Sequence, residues 1–234
     1  MSGENDLGAV ITRRILHLAL GLIVVYYFFP PRVFGLHRDL LVIFLFIVIP
    51  VCIEYYRLSS GKLFFGLRKY EKGKVASYLW FTTGAVILLI LFPQQIAAPC
   101  ILGAAIGDVV LGTTRTFRRR YSFSITYIVL LIIFLIFKYE IVLAIVAAGI
   151  ALISESMEIR VTSRFRPSLF YSRSKRKVSP YRNFFTILLK TDDDFMMQIV
   201  PAVFLTVVFF ILGDAYLPPE ILHVHQDLAR ILTL

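Results

Sequence analysis

Seven apolar runs divide this chain, and they constrain its fold more than any other feature of the sequence. They cover residues 15–29, 40–53, 78–92, 96–111, 123–137, 141–153 and 195–212. The chain is 58% hydrophobic, whereas a soluble domain is about 45–50% apolar. A membrane β-barrel would instead show alternating segments of about ten residues. The sequence therefore predicts an all-α fold, a polytopic membrane helix bundle with about seven transmembrane helices.

The basic residues predict how these helices are oriented. With the N-terminus in the cytoplasm and seven spans, all of the 25 Lys and Arg residues lie on the cytoplasmic side except Arg32, Arg38, Lys138 and Arg230. Residues 1–234 then form a single integral membrane domain. Its cytoplasmic loops are at about 57–76, 112–122 and 156–196, and an extracytoplasmic amphipathic tail covers about 219–234. Topology and attraction to anionic lipids explain the net charge of +10, so no nucleic-acid partner is predicted.

Acidic residues gather on the same predicted side, although only Lys and Arg were needed to set the topology. Asp108 ends one apolar run, Glu155 ends another, and three aspartates lead into the last run. An Asp at the bilayer centre costs about 2.5–3.5 kcal/mol, so a cluster of acids at one depth predicts a polar site open to the cytosol. The residues expected around it are Arg13, Arg14, His17, Glu54, Arg57, Glu71, Gly107, Asp108, Glu155, Asp192, Asp193 and Asp194.

These residue types indicate a class of chemistry. Several carboxylates without a Cys–His constellation suit a hard cation such as Mg²⁺. Arginines beside them suit phosphate oxygens. Phosphoryl transfer needs mainly a positioned metal, charge stabilisation and a base for the attacking hydroxyl. Because the polar groups lie at the membrane boundary, one substrate is expected to be a nucleotide and the other a lipid.

Each feature also has a simpler interpretation. The three aspartates, 192 to 194, can be a helix N-cap that complements the helix dipole. Arg13 and Arg14 can be topology anchors, and His17 can be an interhelical polar residue. Glu54 and Arg57, spaced i and i+3, can simply pair with each other. The functional hypothesis depends on the conjunction of these residues.

The order of the motifs resembles the family of dolichol kinase, phytol kinase and CTP-dependent diacylglycerol kinase. The strings that carry the resemblance are Arg13-Arg-Ile-Leu-His17, Glu54-Tyr-Tyr-Arg57, Arg68-Lys-Tyr-Glu71, Gly107-Asp108, Glu155 and Thr191-Asp-Asp-Asp-Phe followed by Pro201. The resemblance extends from Arg13 to about Leu212. It implies a lipid-alcohol kinase with a nucleoside triphosphate donor, usually CTP, and a divalent metal.

The resemblance also implies roles for individual residues. Arg13 and Arg14 would handle phosphate, and Gly107 would lie in the nucleotide site. Asp108 would bind metal or orient the hydroxyl, with Asp192, Asp193 or Asp194 sharing the metal. Glu155 would complete the site, and His17 would be a further catalytic residue. Glu54, Arg57 and Glu71 would form another polar part of the site.

The region after Asp108 departs from the family pattern. Arg115 stands where the family usually has a glycine, and residues 118–124 replace an element that usually contains Glu-Gly. Arg115, Arg118 and Arg120 would then contact nucleotide phosphates through side chains. The sequence predicts phosphorylation of a polyprenol or dolichol, and leaves open a cytidylyltransferase making a CDP-lipid, a transporter or a non-catalytic relative. It does not indicate an oligomeric state.

Overall fold

Helices dominate the structure of this protein, a computed structural model that describes residues 4–61, 75–164, 193–213 and 216–222. Eight α-helices lie in this part of the chain: α1 (Glu4–Gly21), α2 (Arg38–Ile43), α3 (Ile49–Ser60), α4 (Ser77–Leu91), α5 (Gln94–Phe117), α6 (Ser122–Ile136), α7 (Ile141–Arg164) and α8 (Asp193–Leu212). A 3₁₀ segment, Leu22–Phe28, extends α1, and a second one, Arg119–Tyr121, precedes α6. A small antiparallel hairpin, β1 (Arg32–Val33) and β2 (Leu36–His37), leads into α2.

Among the described residues, five helical stretches are apolar and long enough to cross a membrane. They are Ile11–Phe28, Arg38–Ser60, Gln94–Phe117, Arg119–Ile136 and Asp193–Leu212. The helices Ser77–Leu91 and Ile141–Glu155 are also apolar but shorter. The structure thus confirms the predicted all-α class. Its long apolar helices are compatible with the predicted membrane bundle, because an apolar helix satisfies its own backbone hydrogen bonds inside lipid.

Pro50 and Pro99 each interrupt the hydrogen bonding of a helix, and the structure adapts to each in a different way. Pro50 follows the π-helical segment Phe44–Val48, which joins α2 to α3. Such a bulge is expected where proline lacks an N–H and its ring crowds the preceding turn. Pro99 in α5 cannot donate to the carbonyl of Gln95, four residues earlier; the hydroxyl of Tyr139 donates to that oxygen instead, at 3.0 Å.

The centre of the bundle is built from α5 and α8, against which α1, α4, α6 and α7 pack. Small side chains fill the closest contacts, because membrane helices associate through tight van der Waals packing. Buried alanines of this kind are Ala97, Ala98, Ala104, Ala105, Ala144, Ala147, Ala148 and Ala202. Since α5 carries Asp108 and α8 carries Asp194, this central pair of helices positions the acids of the predicted site.

Helix α4 meets α8 at Gly84. A Cβ built there would lie 3.0 Å from Gln198 Oε1 and 3.2 Å from Phe195 Cδ2. The buried Gln198 also donates from Nε2 to the carbonyl of Phe81 at 3.2 Å, and the Trp80 ring packs edge-on against Phe195. Glycine therefore permits the close approach of these two helices.

We expect Gly84→Ala to destabilise the protein by about 1–3 kcal/mol, because the added methyl overpacks this interface. Thermal unfolding in detergent, followed by fluorescence of the chain's single tryptophan, Trp80, measures the loss. Gly112→Ala in α5 is the matched control, because no described atom lies within 4 Å of a Cβ built there. Equal stability of the two variants would contradict the prediction.

Candidate functional site

Three helices bring polar side chains together at His17. Its Nε2 lies 2.9 Å from Asp194 Oδ2 and 3.7 Å from Asp108 Oδ2. The imidazole comes from α1, and the two carboxylates come from α8 and α5. His17 and Asp194 are buried, whereas 31% of the Asp108 side chain is exposed. We call these three residues the His–Asp–Asp cluster.

The His–Asp–Asp cluster has a composition that can bind a metal ion. One nitrogen of His17 and one oxygen from each carboxylate lie within 4.8 Å of one another. Asp108 opens the cluster towards solvent, while the Phe81 ring packs edge-on against the imidazole on another side. The cluster is therefore open where Asp108 is partly exposed and is covered by Phe81 on another side.

The basic pair in the middle of α1, one turn before His17, flanks this cluster, and each arginine contacts a different helix. Arg13 Nη2 donates to the hydroxyl of Ser77, at the start of α4, at 3.3 Å. Arg14 Nη2 donates to the carbonyl of Gly112 in α5 at 2.9 Å and to the hydroxyl of Thr116 at 3.4 Å. Both guanidinium groups are thereby held at the end of the bundle where the cluster lies.

Arg115 and Glu155 form an ion pair between α5 and α7. Arg115 Nη2 donates to the two carboxylate oxygens of Glu155 at 3.0 and 3.3 Å. Glu155 is buried, but 36% of the Arg115 side chain is exposed. The guanidinium also lies over the ring of Phe123. Arg115 lies on the same helix as Asp108, two turns further along, and the ion pair fixes the Arg115 side chain against α7.

A fully buried ion pair lies in the second half of α3. Arg57 donates to Glu54 through Nε at 2.8 Å and through Nη2 at 2.6 Å, and both side chains are fully buried. Glu54 also accepts from the backbone N–H of Ala76 at 2.8 Å and from the hydroxyl of Tyr78 at 2.9 Å. We call these four residues the Glu54 clamp, because they fasten α3 to the start of α4.

The other predicted site residues are distributed as follows. Gly107 is buried, and a Cβ built there would lie 3.1 Å from Met197 Cε, so this glycine permits packing of α5 against α8. The half-buried Asp193 accepts the backbone N–H of Asp194 at 3.1 Å. Arg118 and Arg120 are exposed in the turn between α5 and α6. Glu71 and Asp192 lie outside the described residues.

Two residues of this region escaped the sequence interpretation. Ser77 accepts from Arg13, but a serine at a helix start is common enough to pass as a cap. Gln198 is fully buried one turn after Asp194, on the same helix. A lone amide inside an apolar run is the signal that would have found Gln198, since buried polar groups in membrane helices are costly.

No protein-family model, no curated protein and no solved structure matches this chain. The fold and the cluster together define an all-α protein with several helices long and apolar enough to cross a membrane, and with a His–Asp–Asp cluster where three of its helices meet.

Proposed function

We propose that this protein is a membrane lipid-alcohol kinase, which transfers the γ-phosphate of a nucleoside triphosphate, CTP, to a polyprenol or dolichol-type alcohol. The observation that carries the proposal is the convergence of His17, Asp108 and Asp194 from three helices. Arg13 lies one turn before His17 in α1, and Arg115 lies two turns after Asp108 in α5. Carboxylates and arginines at the boundary of an apolar bundle suit the phosphates of a nucleotide and the hydroxyl of a lipid.

The proposal includes seven membrane spans, a cytoplasmic N-terminus and a cytoplasmic active face. The strongly asymmetric distribution of Lys and Arg supports this orientation. Contacts of Arg14 and His17 in α1 with the second half of α5 and the start of α8 support a common location for the site. In the cell, the nucleotide would then reach the site from the cytosol and the lipid alcohol from the membrane.

The residues divide the reaction between them. A divalent cation, Mg²⁺ or another, would supply charge neutralisation at the phosphates. Asp108, the partly exposed carboxylate of the cluster, would bind the cation through one oxygen, and with the other it orients the lipid hydroxyl and accepts its proton. As the lipid oxygen bonds to the γ-phosphorus, the bond from that phosphorus to the β-phosphate oxygen breaks and CDP leaves. Arg13 and Arg115 stabilise the charge that develops on the phosphate oxygens.

The decisive experiment uses the full chain in liposomes that contain a panel of lipid alcohols. The protein is incubated with a divalent cation and CTP labelled at either the γ- or the α-phosphate, and the lipid phase is then extracted. We expect γ-label in the lipid, with a polyprenol or dolichol as the best acceptor. Transfer of α-label would indicate a cytidylyltransferase instead, and the absence of label with CTP, ATP and UTP would refute phosphotransfer.

Arg115→Ala should weaken nucleotide use by about 10-fold or more in kcat/KM, because charge-assisted contacts to phosphate contribute about 1.5–3 kcal/mol each. Steady-state kinetics with varied CTP measures the change. Arg32→Ala is the control, because Arg32 is an exposed arginine of the hairpin that precedes α2 and is not part of the α5–α7 ion pair. Unchanged kinetics in Arg115→Ala would remove this arginine from the nucleotide site.

A further inference from the structure

We infer that Nε2 of His17 is a direct metal ligand, and that the site therefore prefers a divalent first-row ion such as Mn²⁺, Co²⁺ or Zn²⁺ over Mg²⁺. This inference deepens the proposed function, on which it rests for the role of the cluster as reaction centre. The sequence alone favoured Mg²⁺ because it showed carboxylates without showing which nitrogen meets them.

The hydrogen bond on the other side of the imidazole sets its orientation. Nδ1 of His17 lies 3.2 Å from the carbonyl oxygen of Arg13, one turn earlier in α1. A carbonyl oxygen can only accept, so Nδ1 donates and carries the proton. Nε2 faces Asp194 and Asp108. In the neutral imidazole it presents a lone pair that a bound cation can use, whereas an imidazolium without a cation donates from Nε2 to Asp194 across the same 2.9 Å. An Nδ1–H bond to a backbone carbonyl is also the usual outer contact of a metal-bound histidine.

The two carboxylates and the lone pair of Nε2 repel one another unless a positive charge lies between them. Asp194 and Asp108 are acceptors when ionised, as is Nε2 of a neutral imidazole. Asp194 is buried, so its charge is costly unless it is compensated. A divalent cation compensates both carboxylates and uses all three electron pairs, which a hydrogen bond between one pair of atoms cannot do.

The separations in the cluster are close to those of atoms that share one ion. Nitrogen and oxygen ligands lie about 2.0–2.2 Å from a Zn²⁺-sized cation, which places neighbouring ligands about 3–3.5 Å apart in octahedral or tetrahedral geometry. The observed distances from Nε2 are 2.9 Å to Asp194 and 3.7 Å to Asp108. Three protein ligands leave further positions for phosphate oxygens, on the side where Asp108 is exposed.

The imidazole decides the class of the ion. Mg²⁺ prefers oxygen ligands and dehydrates reluctantly, whereas imidazole nitrogen suits the later divalent ions of the first transition row. With one nitrogen and two carboxylate oxygens, affinity is expected to rise from Mg²⁺ through Mn²⁺ and Co²⁺ to Zn²⁺. We expect Mn²⁺ to bind at least about 10-fold more tightly than Mg²⁺.

Mn²⁺ tests this inference because its electron spin reports a bound nitrogen. The full chain, without an oligohistidine tag, is placed in nanodiscs and titrated with Mn²⁺ alone. Free Mn²⁺ is counted by electron paramagnetic resonance, with Mg²⁺ as competitor. Electron spin echo modulation then detects a directly coordinated ¹⁴N nucleus. We expect one saturable site with ¹⁴N modulation, displaced by Mg²⁺ only in at least about 10-fold excess.

Histidine variants assign the nitrogen. The chain has four histidines, so a variant with His37, His223 and His225 changed to Gln retains His17 alone. It should keep the ¹⁴N modulation, and His17→Gln should lose it and bind Mn²⁺ at least 10-fold more weakly. His37→Gln is the matched control, since Nδ1 of the exposed His37 also faces a carboxylate, Asp39 Oδ2, at 3.2 Å.

The Mn²⁺ measurements and the lipid-phosphorylation assay test the metal site and the proposed kinase activity independently. Absence of ¹⁴N modulation in the variant that retains His17 alone, or equal affinity for Mg²⁺ and Mn²⁺, would overturn the inference, even if lipid is phosphorylated. Nitrogen-coupled Mn²⁺ without lipid phosphorylation would support the metal site and remove the kinase activity. The outcome does not depend on whether His17→Gln folds, because the variant that retains His17 alone decides it.

Discussion

Asp108→Asn is expected to lower kcat for lipid phosphorylation by at least about 10²–10³-fold, the range seen when one preorganised charge-stabilising group is lost. An amide can neither compensate a divalent cation nor accept the hydroxyl proton as a carboxylate does. The change is isosteric, and Asp108 is partly exposed, so the variant should remain folded. Transfer of γ-label from CTP to lipid measures the effect.

The control for this variant is Glu140→Gln, which also converts an acid into its amide. Glu140 is exposed in the turn between α6 and α7, and its backbone carbonyl, which the substitution retains, accepts from Ala144. It should keep the activity of the unaltered protein and the same melting temperature. A folded Asp108→Asn protein that phosphorylates lipid at the normal rate would remove Asp108 from the reaction.

The sequence predicted the membrane helices because apolar runs need no tertiary information. Continuous hydrophobic segments of sufficient length become helices wherever water is absent. The sequence also placed His17, Asp108 and the aspartates 192 to 194 in one predicted site, from the asymmetry of charge along the chain. The structure brings His17, Asp108 and Asp194 together. The sequence therefore indicated the residues of the cluster but not the contacts between them.

The sequence did not predict which side chains of the site contact each other. Three consecutive aspartates begin the last apolar run, and only helix phase decides that Asp194 turns inward to His17 while Asp193 is half-buried. Similarly, Arg115 pairs with Glu155 across 40 positions, which requires knowledge of the order in which helices pack. Periodicity along one helix does not carry that information.

The simpler interpretation of the Glu54–Arg57 spacing, an i, i+3 ion pair, is correct but incomplete. The two side chains do pair at i and i+3, but they are fully buried and Glu54 also holds α4. An exposed pair of this spacing stabilises a helix by about 0.2–0.5 kcal/mol. Burial changes the magnitude, because each charge has lost its water and depends on its protein partners.

Glu54→Ala is consequently expected to destabilise the protein by about 3–5 kcal/mol, the cost of removing one member of a buried ion pair. The substitution takes away the carboxylate that accepts from Arg57, from the Ala76 N–H and from the Tyr78 hydroxyl. Thermal and denaturant-induced unfolding in detergent measure the loss. Glu220→Ala, at an exposed position, should change stability by less than about 0.5 kcal/mol.

A double-mutant cycle separates the lost pair from the uncompensated charge. Glu54→Leu combined with Arg57→Met removes both charges, and it should destabilise less than Glu54→Leu alone, because replacing a buried pair by apolar groups avoids a buried charge without its counter-charge. Additive effects of the two substitutions would show that the ion pair does not govern stability at this position.

The Glu54 clamp should also affect catalysis through Ser77. Glu54 holds Ala76 and Tyr78, the two neighbours of Ser77, and Ser77 accepts from Arg13. If the clamp positions Arg13, then Glu54→Gln, which keeps one acceptor oxygen, should raise the KM for CTP by several-fold while changing kcat little. A purely structural role would lower the amount of active enzyme, and so kcat, without changing KM. Because Arg13 also supplies the carbonyl that orients His17, a larger displacement should weaken Mn²⁺ binding in the same variant.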